Sequence, residues 1–119
     1  MSEAQSVSKT PDITPELTAF QQTILTVLAE EARYGLAIKR ELEAYYDTDV
    51  NHGRLYPNLD DLVAEGLVEK SERDKRTNEY TLTDAGYEAL LADIEWTVSK
   101  LNTNDERQAD LEELLARVE

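Results

Sequence analysis

Cysteine is absent from the 119 residues, which excludes disulfides, thiolate zinc sites and any cysteine-based redox switch. Histidine occurs once, as His52, so one subunit can build neither a multi-histidine metal cage nor a histidine relay. The one methionine is Met1, which argues against sulfoxide switching. No apolar run approaches the roughly 20 residues that span a bilayer. The opening MSEAQSVSKTPD lacks the charged-then-apolar order of an export signal. The expectation is a soluble, cytoplasmic chain with no membrane contact. No nucleophile stands beside a base, since His52 has only Asp49 near it, and no glycine-rich phosphate loop is present, so neither an enzyme nor a bound metal is expected.

Basic residues are also scarce. Lys+Arg is 12 against Asp+Glu 26, a net charge of −14, and lysine stands only at Lys9, Lys39, Lys70, Lys75 and Lys100. A hydrophobic fraction of 40% still suffices for a folded core. The acids are spread along the chain and form no tail. Such a surface repels itself in dilute buffer, but at molar salt the screening length falls to about 3 Å. The composition therefore points to a cytoplasm with molar salt.

Residues 1–13 are polar and aperiodic and read as a flexible arm. Thr14-Pro15-Glu16 combines a hydroxyl cap, a proline and an acid, as at a helix start. Leu17, Phe20, Ile24, Val27 and Leu28 follow at helical spacing and predict a helix to about Glu31. Tyr34-Gly35 reads as a turn, and Ile38, Leu42 and Tyr45 as the apolar face of a second helix ending near Tyr46. Asn51 is placed to cap a third helix, 51–65, with Leu55, Leu59 and Leu62 inward and Gly66 as its stop. Alternation over 67–72 and 78–82 predicts two strands around a polar tip, 73–77. Thr83 caps a long helix, and a last one covers 105–118. The fold class is thus α+β, mainly α: a winged helix-turn-helix of three helices and a two-stranded wing over 14–83, then C-terminal dimerisation helices over 84–119.

Tyr34-Gly35, Gly53-Arg54-Leu55-Tyr56-Pro57-Asn58-Leu59, Glu65-Gly66-Leu67 and Tyr80-Thr81-Leu82-Thr83-Asp84-Ala85-Gly86 occur in the order and spacing of the PadR family, which the chain resembles over about residues 17–101. The resemblance implies a homodimeric, DNA-binding transcription regulator. The acidity suggests a haloarchaeal member, and the chain is similar to those associated with reactive oxygen species, which implies control of oxidative-stress genes.

On a wheel of 100° per residue, Gly53, Pro57, Asp60 and Asp61 point away from the buried leucines, with Arg54 and Tyr56 flanking them. Arg54 is expected to reach a guanine edge or a phosphate, and Tyr56 a phosphate or sugar. Asn51 and His52 lie at the positive helix end, and Gly53 admits a close phosphate. Asn58 joins these duplex-DNA contacts. Lys39, Arg40, Lys70, Arg73, Lys75, Arg76 and Thr77 are expected on the backbone. Residues 33–80 hold 8 basic and 11 acidic side chains, net −3, while the rest hold 4 and 15, net −11, so positive charge gathers in this segment. A protein-interaction module is the alternative, but it leaves Arg54 and the basic wing without a role.

Tyr87, Leu91, Ile94, Val98 and Leu101 step by 4, 3, 4 and 3, a heptad seam widened by Leu90. Leu17, Phe20, Leu111 and Leu115 are expected to complete a homodimer interface. Trp96 is read as interface packing or partial exposure, and a small-molecule effector stays open. No cofactor is expected beyond salt cations, K⁺ foremost, held between acidic protein and DNA.

Overall fold

A computed structural model describes residues 16–74 and 77–119. Eight elements follow in order: α1 (Ala19–Glu30), β1 (Arg33–Tyr34), α2 (Gly35–Tyr46), α3 (His52–Ala64), β2 (Val68–Asp74), β3 (Thr77–Leu82), α4 (Asp84–Leu101) and α5 (Asp105–Val118). The arm 1–13 and the Thr14-Pro15 helix start lie outside the described residues.

The first helix begins at Ala19, later than the Pro15 start expected. Thr18 is extended (φ −74°, ψ 161°), so the helix cannot run back through it. Thr18 Oγ1 accepts from Gln21 N at 3.1 Å, and Gln21 Oε1 accepts from Thr18 N at 3.2 Å, a reciprocal capping box. The buried stripe is Phe20, Gln21, Ile24, Leu25 and Leu28, with Val27 only half-buried.

Tyr34-Gly35 is a strand-to-helix junction rather than a turn. Arg33 pairs with Tyr80 and Tyr34 with Glu79, adding β1 to the wing in a three-stranded antiparallel sheet of order β1-β3-β2. Arg33 also ends α1: its Nε donates to Val27 O at 3.4 Å and its guanidinium pairs with Glu30, Glu31 and Glu41. In α2, Ile38 and Leu42 are buried as expected, but Tyr45 is 71% exposed. Its neighbour Tyr46 turns inward instead, stacks on Phe20 with centroids 6.1 Å apart, and donates to Thr23 Oγ1.

In α3, Leu55, Leu59 and Leu62 are fully buried. At about 1.5–3 kcal/mol for each side chain removed from water, they anchor the helix to α1 and the sheet. The wing strands reach further than expected. Register continues through Asp74↔Thr77, with Arg73 as the extra residue of a bulge after Glu72↔Asn78, so Arg73, Asp74 and Thr77 belong to strands. Val68 and Tyr80 carry the sheet's contribution to the core.

The first turn of α4 is tied to the start of the wing. Thr83 Oγ1 donates to Gly66 O at 2.7 Å and accepts from Gly86 N at 3.0 Å. A Cβ on Gly86 would stand 2.6 Å from Leu82 Cδ1 and collide with Leu67 O, so only glycine fits this approach. One compact unit therefore extends through Ala89, past the expected boundary at 83, and a second covers Leu90 to Glu119. In the second, Asn104 caps α5 by accepting from Arg107 N at 2.9 Å, and no α5 residue is buried.

Candidate nucleic-acid interface

The exposed end of α3 is built from its cap. Asn51 Oδ1 accepts from Gly53 N at 2.5 Å, and Asn51 O accepts from Arg54 N and Leu55 N at 3.0 Å. Pro57, inside the helix, has no N–H to offer the Gly53 carbonyl one turn back. Asn51, His52, Gly53, Arg54, Pro57, Asp60 and Asp61 are exposed, as the wheel expects.

Tyr56 lies half-buried between α3 and α2. The His52 ring stacks on it, centroids 5.5 Å apart and planes within 7°. A Cβ on Gly35 would overlap the Tyr56 hydroxyl, so glycine at the start of α2 lets the phenol lie against the backbone. Beside it opens a cleft of about 380 Å³ lined by Tyr34, Gly35, Leu36, Arg40, Tyr56 and Thr77. The cleft joins the start of α2, α3 and the wing. Tyr34 caps α2 without a side-chain hydrogen bond, so the first backbone N–H groups of α2 are uncapped by that side chain. Tyr34 and Leu36 were not among the expected site residues. Their signal is indirect: Tyr34 borders the glycine of its motif, and Leu36 is apolar yet 49% exposed.

The cations of this unit divide into two sets. Arg33 is committed to three glutamates. Lys39, expected on DNA, pairs with Glu43 at 2.7 Å within the chain. Glu43 also accepts from Val50 N at 2.9 Å, tying the α2–α3 connector down. The Lys39 ammonium first, and the Val50 N–H second, hold the Glu43 carboxyl below the usual range. Arg73, also expected on DNA, pairs across the wing with Glu79, which raises its pKa further. Among the described residues of 33–80, Arg40, Arg54 and Lys70 make no ion pair. Lys75 and Arg76 lie outside the described residues.

Two further expected site residues have partners within the chain. Asn58 is committed within the chain: its Oδ1 accepts from Gln21 Nε2 at 3.0 Å and its Nδ2 donates to Arg54 O at 2.7 Å. Phe20 is no free interface residue, being buried at 4% exposure under Tyr46 and Arg54, whose Cζ stands 3.9 Å above the ring centroid. Leu17 precedes the α1 cap and is half-buried.

On α4, Tyr87, Leu91, Ile94, Val98 and Leu101 are all exposed, by 37–54%, while Leu90 is buried. On α5, Leu111 is half-buried and Leu115 is 63% exposed. Trp96 is 64% exposed, with Lys100 Nζ 5.6 Å from its ring. At 100° per residue it projects from the side of α4 opposite the seam, so it is not seam packing. Among the described residues, no group of three or more His, Asp or Glu side chains could hold a metal ion, and no helix is long and apolar enough to cross a membrane.

Residues 24–92 match the transcriptional regulator PadR-like family. The chain belongs to it. The family is one of transcriptional regulators, not of enzymes. This PadR-like chain is similar to RosR of H. salinarum, at 66% identity over 86% of this chain and 93% of that one, with a TM-score of 0.81. It is 30% identical over 80 residues to the transcriptional activator GvpE of Haloferax mediterranei, a stretch covering 67% of the chain but 40% of the relative, so the chain spans about two fifths of that protein's length. The fold alone is shared with F93 from STIV, a winged-helix DNA-binding protein, at 21% identity and a TM-score of 0.60 over 70% of this chain and 91% of that one. The fold is a winged helix, and Gly35 and Tyr56, both within the matched residues, are the pair that meets at the cleft.

Proposed function

We propose that this PadR-like chain is a sequence-specific transcription regulator that binds duplex DNA as a homodimer. The start of α3 enters the major groove, and the wing lies along the backbone. The observation that carries this reading is that Arg40, Thr77 and Tyr56 line one cleft beside α3, with His52 stacked on Tyr56. A phosphate fits there, facing the Arg40 guanidinium, the phenol groups and the first N–H groups of α2. Arg54, free of carboxylates, reads base edges. The exposed heptad seam of α4 suits self-association, and a two-fold dimer sets its two α3 helices about 34 Å apart, one DNA turn.

Asp60 and Asp61 on α3, and Glu69 and Glu72 on the wing, are exposed on the same elements. Salt cations, K⁺ foremost, sit between these carboxylates and phosphate, so binding retains or takes up cations rather than releasing them. Oxidative-stress genes are among the targets, on the resemblance to haloarchaeal members; mapping bound sites with and without oxidant checks this, and unchanged occupancy rules it out.

Titrating genomic duplex fragments with the protein in rising KCl tests the main reading. The expected result is binding that survives concentrated salt, by a species of dimer mass in light scattering. No binding to any fragment defeats the DNA reading, and affinity falling steeply and monotonically with KCl defeats the cation reading.

A further inference from the structure

Both ends of Arg54 are tied to α1. Its carbonyl accepts from Asn58, whose Oδ1 is held by Gln21 Nε2. Its guanidinium rests over the Phe20 ring, 3.9 Å from the centroid. Phe20 is itself fixed, 4% exposed and stacked on Tyr46, whose hydroxyl donates to Thr23. Neither Phe20 nor Gln21 belongs to the helix that would enter a groove.

The choice of a ring over a carboxylate as the partner matters. In a chain with 26 acids, the two described arginines on the sheet strands, Arg33 and Arg73, are engaged by glutamates, whereas Arg40 on α2 and Arg54 on α3 make no ion pair, and of these two Arg54 lies over a ring. A carboxylate occupies the N–H fork of a guanidinium, the same donors that recognise guanine O6 and N7. An aromatic ring engages the face and leaves all five N–H donors uncommitted. Stacking also restricts the side chain before DNA arrives, so less rotamer freedom is lost on binding.

We infer that Arg54 determines base preference and that Phe20 is its positioning residue, holding the guanidinium by its face so that its edge is presented to a guanine. This rests on the DNA-binding reading above. Phe20 touches no base itself. It acts through Arg54, and its effect on recognition vanishes when Arg54 is gone.

The test is a double-mutant cycle read by base preference. Duplexes are selected from a randomised library by the wild-type protein in concentrated KCl, and each base pair is then substituted in turn. Arg54→Ala flattens preference at one position per half-site by about 10-fold or more. Phe20→Leu, which keeps apolar bulk but removes the ring, flattens the same position by about 2- to 5-fold. Adding Phe20→Leu to Arg54→Ala changes that preference no further. In the free protein, the Arg54 Nε proton is shifted upfield by the ring current and loses that shift in Phe20→Leu.

A merely structural Phe20 gives a different pattern: weakening at every position alike, and equal loss with or without Arg54. That result overturns the inference. An unshifted Arg54 Nε proton in the free wild type overturns it alone, without touching the DNA-binding reading. A library from which the wild type selects nothing overturns that reading itself.

Discussion

Tyr56 lies against the backbone of Gly35, close enough that a Cβ built on the glycine would stand 3.0 Å from Tyr56 Cε1 and overlap the hydroxyl. The pair joins α3 to the start of α2 across 21 positions of sequence. Gly35→Ala is therefore expected to push the phenol out of the cleft. Overpacking of this kind costs about 1–3 kcal/mol. A lowered melting temperature together with weakened DNA binding is the expected outcome. A melting curve and titration both superimposable on wild type would show that the contact positions nothing.

Lys39 and Arg40 are adjacent on α2 but differ in commitment, and the difference is testable. Arg40 lines the cleft without an ion pair, whereas Lys39 is held by Glu43. Arg40→Ala is expected to weaken duplex binding about 5-fold or more, the loss of one charge-assisted hydrogen bond. Lys39→Met is expected to leave affinity within about 2-fold and to act on thermal stability instead. Fluorescence titration of both variants at one fixed KCl concentration checks this. Equal losses would mean that Lys39 leaves Glu43 to meet DNA.

Glu43 links Lys39 to the connector before α3, and this link is acid-sensitive in one direction. Its carboxyl is held below the ordinary value by Lys39 and the Val50 N–H. A lowered folded pKa adds stability that is fully present above the unfolded value of about 4.3 and is lost as pH falls through the folded value. The melting-temperature difference between wild type and Glu43→Gln is thus expected to hold steady from neutral pH down to about 5, then shrink on further acidification. A gap that widens towards low pH would contradict the assigned direction.

The α4 seam and Trp96 lie on opposite sides of one helix, which separates two outcomes. Ile94→Glu places a charge in the middle of the seam and, if the proposed dimer forms through it, is expected to give monomer mass in light scattering, with weakened DNA binding. Trp96→Ala is expected to leave the assembly at dimer mass. Dissociation by Trp96→Ala would show that association uses the other face.

Local pattern alone settled much of this protein. Asn51, the leucines at 55, 59 and 62, and Gly66 delimit α3 because helix periodicity and capping are set within a few residues. The 4-3-4-3 steps after Tyr87 likewise made an unpartnered stripe on α4 legible before any coordinate. The start of α1 was misplaced because two hydroxyl caps, Thr14 and Thr18, compete in sequence, and the reciprocal bonds with Gln21 favour the second. Strand β1 went unread because two residues carry no period; they become a strand only by pairing with Tyr80 and Glu79, far along the chain. Which cations stay free was also a matter of three dimensions. Arg73 finds Glu79 across the hairpin, and Arg54 finds Phe20 on another helix. Composition counts charges, but only the packed chain brings a carboxylate or a ring within reach of each, and that contact decides whether an arginine is structural or available to DNA.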